Sequence, residues 1–227
     1  MEVADLNWTK FNVEKSKGNY PTWPIEAMVK VLFGGYLKGP KPMFDVSTKV
    51  LDIGCGFGNN LLPFLVRGCD CCGVEITDDM SGLAEEILRT RGFQRVCIKT
   101  GNNRSLPFDD EEFDLIVSNN VIHYEKNYLA ALQEYSRVLK PGGGLYLMTV
   151  APGHDIYVNA DVVGRHKFKI KNWDFRDGEQ YFYLSDLKYL DFYLSKIFED
   201  IELGQVTERL MQINLDFFVS YCRKPKD

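Results

Sequence analysis

The strongest chemical signal in this sequence is a short glycine-rich run. Residues Val50 to Gly58 read Val-Leu-Asp-Ile-Gly-Cys-Gly-Phe-Gly, an apolar strand pattern that passes directly into a turn. Glycine lets a backbone turn tightly and approach a bound molecule that a Cβ atom would keep away. The third glycine comes one residue earlier than in the dinucleotide fingerprint Gly-x-Gly-x-x-Gly. The run therefore predicts a nucleotide-binding turn, with a purely structural turn as the alternative.

Two acidic residues lie where they could serve the same ligand. Asp52 directly precedes the turn, and Glu75 ends the next apolar run. A carboxylate at the end of the second strand can accept hydrogen bonds from both hydroxyls of a ribose. A nicotinamide-dependent oxidoreductase has the same feature, so these residues alone leave more than one enzyme class open.

The elements that must position these residues alternate along the chain. Near-continuous apolar runs separated by helical patterns indicate a parallel sheet that is covered on both faces. We therefore predict an α/β, doubly wound fold. The predicted strands are Lys49 to Ile53, Cys71 to Ile76, Val96 to Lys99, Phe113 to Ser118 and Leu145 to Val150, and the helices are Asn59 to Val66, Asp78 to Arg91 and Lys126 to Leu139, followed by a turn at Lys140 to Gly144.

Two segments lie outside this alternation within one predicted domain, 1–227. Residues 1–42 contain a predicted helix from Pro24 to Leu37 and are expected to form a helical cover. Residues 151–183 form an insertion after the fifth strand, whose alternating aromatic and charged residues predict an edge strand or hairpin. A helix from Ser185 to about Phe198 and two antiparallel strands, 201–207 and 213–221, are expected to follow.

Composition and charge exclude several classes of protein. The chain has 227 residues, is 45% hydrophobic, and carries 27 Lys and Arg against 32 Asp and Glu, a net charge of −5. This acidic balance argues against nucleic-acid binding, which needs a basic surface. The apolar runs fall far short of the roughly 18 residues of a membrane helix. Met1 to Lys10 show no signal-peptide pattern, so we expect a cytoplasmic protein.

The six cysteines do not predict disulfides or a metal site. Cys71 and Cys72 would point to opposite faces of one strand, and no Cys-x-x-Cys or histidine spacing accompanies them. We therefore expect free thiols and no bound metal.

Further segments make the sequence similar to the class I S-adenosylmethionine-dependent methyltransferases, in their broad small-domain, type 11-like branch. Together they cover roughly Val50 to Val150 in the order of the family. The resemblance implies a Rossmann-like, mostly parallel seven-stranded sheet with an antiparallel C-terminal strand. It also implies S-adenosylmethionine as cofactor and S-adenosylhomocysteine as product. Besides the glycine run and Glu75, the matching parts are Thr77, Met80, Gly101 to Phe108, Phe113 to Tyr124 and Leu139 to Gly143.

The resemblance also assigns individual residues to the cofactor. Asp52 and the turn backbone would face its methionine part, and Glu75 would hold its ribose. Asn102 stands where the family usually has Asp, so we expect weaker adenine recognition, because an amide carbonyl still accepts a hydrogen bond. Tyr20 and Trp23 would close over the cofactor, with plain packing as the alternative. The predicted cofactor-binding residues are Tyr20, Asp52, Gly54, Cys55, Gly56, Glu75, Ile76, Asn102, Asn103 and Asn119.

Three of these residues have a more specific implied role. Ile76 would contact adenine together with Leu106. Asn103 would offer its backbone N–H to the adenine ring, and the Asn119 carbonyl would accept from the methionine amine.

The residues after the fourth strand point to the methyl acceptor. His123 follows the strand at the ligand-binding edge and is expected to titrate near neutrality, so it could take a proton from the acceptor. Tyr124 could line the acceptor pocket, and His154 could contact an anionic acceptor. The run Ser118 to Val121 lacks the Asn/Asp-Pro-Pro-aromatic motif of enzymes that methylate amide or exocyclic base nitrogens.

We therefore predict a small-molecule acceptor with an oxygen or nitrogen nucleophile, enclosed by residues 7–38 and 151–183. The alternatives are a methyltransferase that acts on protein or RNA, a non-catalytic S-adenosylmethionine-binding domain, and the nicotinamide-dependent oxidoreductase. The oligomeric state is left open.

Overall fold

The computed structural model describes residues 3–18, 22–172, 176, 178–182 and 184–226. Its strands are β1 Lys49–Ile53, β2 Asp70–Glu75, β3 Val96–Thr100, β4 Phe113–Asn119, β5 Leu139–Val150, β6 Asp161–Gly164, β7 Lys167–Lys169, β8 Gln180–Phe182, β9 Glu199–Leu210 and β10 Ile213–Arg223. The main sheet has seven strands in the order β3-β2-β1-β4-β5-β10-β9, and β10 runs antiparallel to both of its neighbours. The predicted fold class is confirmed.

Helices cover both faces of this sheet. They are α1 Val3–Ser16, α2 Glu26–Phe33, α3 Leu62–Leu65, α4 Asp78–Thr90, α5 Tyr128–Val138, α6 Asp155–Val158 and α7 Leu187–Leu194, with short 3-10 helices at Asn59–Leu61 and Ile122–Tyr124. Leu51 and Ile53 belong to one buried cluster and Val50 to the other, because successive strand residues point to opposite faces. None of the helices in the described ranges is long and apolar enough to cross a bilayer. The cytoplasmic location stays a prediction.

Several predicted boundaries are wrong for local reasons. The helix α2 ends at Phe33 rather than Leu37, because Gly34 and Gly35 follow, the latter with a φ of +77°. The helix α7 is capped by Asp186, whose side chain accepts from Tyr189 N, rather than by Ser185. It ends at Leu194, well before Phe198.

The predicted turn at Lys140 to Gly144 lies inside a strand instead. The strand β5 begins at Leu139, directly after α5. Gly142 N donates to Lys224 O, and Lys224 N donates to Gly143 O, so the end of the chain pairs with this segment. Gly142 and Gly143 are therefore held by backbone hydrogen bonds to Lys224.

The described residues of the insertion 151–183 contain the predicted hairpin, formed by β6 and β7, and no edge strand of the main sheet. The insertion contains α6 and a separate antiparallel sheet in the order β6-β7-β8. The strand β8 contacts the 3-10 helix Ile122–Tyr124. The insertion therefore lies against the carboxyl edge of the main sheet, where β4 ends.

The helix α1 was not predicted. Its residues lack a clear apolar stripe, so the pattern gave no helical signal. It packs against α4, and the Oγ1 atoms of Thr9 and Thr77 lie 2.8 Å apart in a buried contact. Thr77 also caps α4, since its side chain accepts from Met80 N.

Candidate functional site

Three polar side chains converge on one face of the sheet, at its carboxyl edge. Asp52 of β1 pairs with Gly73 of β2 on one side and with Val117 of β4 on the other. Glu75 and Asn119 lie two residues further along these neighbouring strands, and residues two apart in a strand point to the same face. The register therefore places Asp52 between and below Glu75 and Asn119, as the sequence predicts.

The glycine turn lies between these strand ends. Gly54 N and Cys55 N both donate to Val74 O, which anchors the turn to β2. A Cβ atom on Gly54 would lie 2.5 Å from Val121 Cγ2. A Cβ atom on Gly56, whose φ is +56°, would meet no described atom within 4 Å. Gly54 is therefore required by close packing, whereas Gly56 leaves an open cradle at the strand ends.

Cys55 contributes backbone rather than a reactive thiol. Its side chain is buried beneath the turn, and an added Cβ on Gly73 would lie 2.7 Å from its Sγ. Burial raises the pKa of the Cys55 thiol well above its usual range. The thiol is therefore protonated and inert.

Glu75 is the most highly hydrogen-bonded group of the site. It is 3% exposed, and its Oε1 accepts from Gly56 N at 2.6 Å. Its Oε2 accepts from Ile76 N at 3.2 Å, and the Trp8 side chain also donates to the carboxylate. Burial raises the pKa of Glu75, while these three hydrogen bonds oppose the rise. The carboxylate links the turn, the end of β2 and α1.

Beside it lie buried oxygens that we call the acceptor cluster: those of Asp52 and Asn119 on neighbouring strands and of Asn120, which follows Asn119 in the chain. Both carboxylate oxygens of Asp52 and the Oδ1 atoms of the two asparagines are buried and accept no hydrogen bond from the residues that the structure describes. Burial, followed by repulsion from Glu75, raises the pKa of Asp52 well above its usual 3.8. Buried acceptors at this density require a donor. An ammonium group supplies three N–H donors, so the cluster fits the amino end of an amino-acid-like ligand.

The unpartnered carboxylate predicts that Asp52→Asn stabilises the free protein. Because the pKa of Asp52 in the folded state lies above 3.8, this group destabilises the fold least below pH 3.8, where it is protonated in both states. Stability is lost as the pH rises from 3.8 through the folded-state pKa. The neutral amide removes this loss, so we expect the free energy of unfolding at pH 7 to rise by about 1–2 kcal/mol. The free energy of unfolding, measured with urea, should differ less between pH 5 and pH 8 in the variant than in the wild type.

The matched control for that measurement is Asp114→Asn at the opposite end of β4. Asp114 Oδ2 accepts from Lys140 Nζ at 2.8 Å and from Lys49 N at 2.8 Å, so its removal should destabilise the protein. Equal destabilisation by both substitutions would show that Asp52 has a partner of its own.

The two asparagine side chains of the loop after β3 make hydrogen bonds within the protein. Asn102 is exposed, and its Oδ1 accepts from Arg104 N at 3.0 Å in a local turn. Asn103 is buried, and its Oδ1 accepts from the Tyr135 hydroxyl at 2.7 Å. The Asn103 side chain therefore fixes the loop to α5, which leaves ligand contact to the backbone. Tyr135, fully buried on α5, is a supporting residue that the sequence pattern did not reveal.

His123 lies beyond the acceptor cluster, and its expected titration near neutrality is wrong. Burial, with repulsion from Arg176 and His154, lowers its pKa to about 3. Its Nδ1 lies 3.5 Å from Thr149 Oγ1. The imidazole is therefore neutral at pH 7 and suited to hydrogen bonding rather than to carrying a positive charge.

Tyr124 and a residue of the insertion complete an aromatic group around His123. The hydroxyls of Tyr124 and Tyr181 lie 2.7 Å apart, and the centroid of each tyrosine ring is within 5 Å of that of His123, at 4.7 and 4.9 Å. Tyr181 is fully buried, and Tyr124 is 38% exposed. The structure thus brings His123 and Tyr124 together and adds Tyr181, which sequence reasoning missed because the contact joins distant segments.

Three other candidates have different surroundings. Tyr20 lies outside the described residues. Trp23 is 81% exposed and does not close over the site in this conformation. His154 is buried, and its Nδ1 accepts from Ile156 N at the start of α6. That nitrogen of His154 therefore has a structural role.

The core of the chain is similar to known proteins. Residues 51–147 match the model of a family described as a methyltransferase domain. The chain is 34% identical over 99 residues to a demethylmenaquinone methyltransferase of Anoxybacillus flavithermus, covering 42% of this chain and 42% of that protein. It is 37% identical over 119 residues to a probable tRNA methyltransferase 9B of Mus musculus, covering 49% of this chain and 23% of that protein. The chain spans less than half the length of these relatives.

The similarity in fold extends beyond this core. A solved SAM-dependent methyltransferase of Methanosarcina mazei superposes with a TM-score of 0.65 at 24% identity. The superposition covers 82% of this chain and 95% of that one. The two proteins therefore share their fold.

Proposed function

We propose that this chain is a class I S-adenosylmethionine-dependent methyltransferase. It would transfer a methyl group from S-adenosylmethionine to a small-molecule acceptor with an oxygen or nitrogen nucleophile. The observation that supports S-adenosylmethionine as the methyl donor is the acceptor cluster beside the open space at Gly56. A ligand there must present hydrogen-bond donors to Asp52 and Asn119 and a further polar group to Glu75. An aminocarboxylate joined to a nucleoside meets both requirements, whereas a nicotinamide dinucleotide has no ammonium group.

The residues of the chain would divide the work of holding this ligand. Asp52 and Asn119 would accept from the ammonium group, Glu75 would accept from the ribose, and the cradle at Gly56 would admit the ligand backbone. S-adenosylmethionine supplies a methyl group that its sulfonium activates for in-line displacement. The protein would then mainly align the acceptor and exclude water.

The two segments outside the core would provide the enclosure. The helix α1 approaches the site through Glu75, and the insertion approaches it through Tyr181, which contacts His123. We propose that residues 1–42 and 151–183 cover the site within a single domain. A covered site favours a small acceptor, and the acidic net charge of −5 gives no general attraction for nucleic acid.

An assay with two acceptor pools tests the proposed substrate class. The protein is incubated with methyl-labelled S-adenosylmethionine and either a low-mass metabolite extract or the protein and RNA fraction of the same cells. Label should appear in low-mass products only. Label in tRNA would favour the activity that the name of the mouse relative states, and label in protein would favour a protein methyltransferase. Cofactor binding without any labelled product would indicate a non-catalytic binding domain.

His123 is expected to orient the acceptor rather than to carry its proton. With a pKa of about 3 the neutral ring is a weak base but a good hydrogen-bond partner. We expect His123→Ala to lower kcat about tenfold, the value of one or two lost hydrogen bonds. The dissociation constant for S-adenosylhomocysteine should change less than threefold, because His123 is not among the residues proposed to contact the cofactor.

A conservative variant separates this role from plain packing. His123→Gln keeps a hydrogen-bonding group and should recover much of the lost kcat. The pH dependence of kcat should be the same near pH 6.5 in the wild type and in His123→Ala, because the ring does not titrate there. Full turnover in His123→Ala would show that the ring is only structural. A step near pH 6.5 in the wild type that is absent from His123→Ala would indicate that His123 acts as a base.

A further inference from the structure

We infer that Asn103 and Glu125 join the adenine loop, Gly101 to Phe108, to the 3-10 helix Ile122–Tyr124, so that cofactor binding fixes the residues that face the acceptor. The inference rests on the proposed function, because it takes this loop as the adenine side of the site and the 3-10 helix as its acceptor side. Glu125 is a positioning residue, since it acts through its neighbours rather than by touching either substrate.

The Asn103 side chain is held from both sides. It is buried, its Oδ1 accepts from the Tyr135 hydroxyl at 2.7 Å, and its Nδ2 donates to Glu125 Oε1 at 3.3 Å. A carboxylate only accepts hydrogen bonds, so the NH2 group of the amide must face Glu125 and its oxygen must face Tyr135. These two contacts restrict the side chain of Asn103 and thereby its main chain, whose N–H is expected to meet the adenine ring.

The Glu125 carboxylate contacts two successive residues of the adenine loop. Its Oε1 accepts from Asn103, and its Oε2 lies 3.3 Å from Arg104 Nε. The Glu125 side chain is only 13% exposed, whereas that of Arg104 is mostly exposed. A carboxylate that lies largely out of water needs donors from its neighbours. The loop supplies two of them, and its position therefore determines where the Glu125 side chain lies.

Glu125 passes this position on to the 3-10 helix because it follows the helix directly. Glu125 N donates to Ile122 O at 2.9 Å, and Tyr124 N donates to Val121 O at 3.1 Å. A shift of Glu125 therefore displaces the turn that carries His123 and Tyr124.

The two segments that Glu125 joins have separate supports. The adenine loop is anchored to α5, where Glu134 Oε1 accepts from Leu106 N at 2.7 Å. The 3-10 helix is anchored to the insertion, through the hydroxyls of Tyr124 and Tyr181. A ligand that orders the loop reduces the freedom of the Glu125 side chain, and through it the freedom of the helix.

Hydrogen exchange with and without S-adenosylhomocysteine tests the inference and needs no known acceptor. In the wild type, binding should slow exchange of the Tyr124 and Glu125 amides about fivefold or more, the lower end of typical coupling between two sites. Glu125→Ala should remove this slowing, which is measured as the ratio of the rates without and with ligand. The amides of Gly54 and Cys55, which donate to Val74 O, should be slowed in both proteins and so report that the ligand is bound.

Two further variants control for the loss of a charge. Glu125→Gln keeps an oxygen that can accept from Asn103 Nδ2, so most of the slowing should remain. Glu85→Ala removes a carboxylate that pairs with Arg89 at 2.8 Å within α4, and it should behave as the wild type does.

A substitution on the other side of the Asn103 amide keeps the test decisive if Glu125→Ala does not fold. Tyr135→Phe removes the hydroxyl that holds Asn103 and should reduce the slowing at the 3-10 helix. Tyr146→Phe is its matched control, because that hydroxyl is equally buried and donates to Met148 Sδ instead. The slowing should be unchanged in this control.

Two results would overturn the inference. One is equal slowing of the 3-10 helix in Glu125→Ala and in the wild type, which would leave Glu125 with a local structural role. The other is a wild type that binds S-adenosylhomocysteine without slower exchange in this helix. No binding by the wild type would instead overturn the proposed function itself.

Discussion

Replacing Gly56 by valine will weaken the binding of S-adenosylhomocysteine by about 100-fold, because the added methyl groups would take space that the bound ligand needs. The added side chain enters the cradle, where no described atom lies within 4 Å of the Cβ position. It also strains a backbone with a φ of +56° and disturbs the Gly56 N donor, which lies 2.6 Å from Glu75 Oε1. Calorimetry on the purified variant measures the loss.

Gly92→Val is the matched control. Gly92 also has a positive φ, of +95°, and no described atom within 4 Å of its Cβ position, but it follows the C-terminal end of α4. Both variants should lose similar stability through backbone strain, and only Gly56→Val should lose ligand affinity. Equal affinity in the two variants would remove the glycine turn from the binding site.

Glu75→Gln is expected to weaken S-adenosylhomocysteine binding by about 1.5–3 kcal/mol, or about 10- to 150-fold. The amide has nearly the same shape as the carboxylate but loses the charge-assisted hydrogen bonds to ribose. Its NH2 group must also face the N–H of Gly56 or of Ile76, which donate to the two carboxylate oxygens. Titration at constant pH and salt measures the change.

Glu112→Gln provides the comparison for this substitution. Glu112 Oε1 accepts from Lys49 Nζ at 2.7 Å, at the amino end of the sheet and away from the glycine turn. Its replacement should change ligand affinity less than twofold. A Glu75→Gln variant that binds as well as Glu112→Gln would show that the ribose lies elsewhere.

The core of the site was predictable because it depends on strand periodicity. The apolar runs of β1, β2 and β4 were located to within one residue. Since parallel strands start from the same edge and side chains alternate, the sequence positions of Asp52, Glu75 and Asn119 already imply that they lie together. The glycine turn followed from residue type alone.

The outer parts of the site were not predictable from local pattern. Trp8 reaches Glu75, and Tyr181 reaches Tyr124, across long separations in sequence. No periodicity encodes such contacts, because they depend on how α1 and the insertion dock on the finished sheet. The pKa of His123 likewise depends on burial by distant residues, whereas residue type alone suggested titration near neutrality.

The central claim is that this site binds an aminocarboxylate joined to a nucleoside, and a comparison of two ligands tests it most directly. Calorimetry compares S-adenosylhomocysteine with 5′-methylthioadenosine, which keeps the adenosine and sulfur but lacks the amino-acid part. If Asp52 and Asn119 hold the ammonium, S-adenosylhomocysteine should bind one to one and more than about 100-fold more tightly, as expected for two hydrogen bonds of about 1.5–3 kcal/mol each that involve a charged group. Equal affinities, or no binding of S-adenosylhomocysteine, would contradict the account.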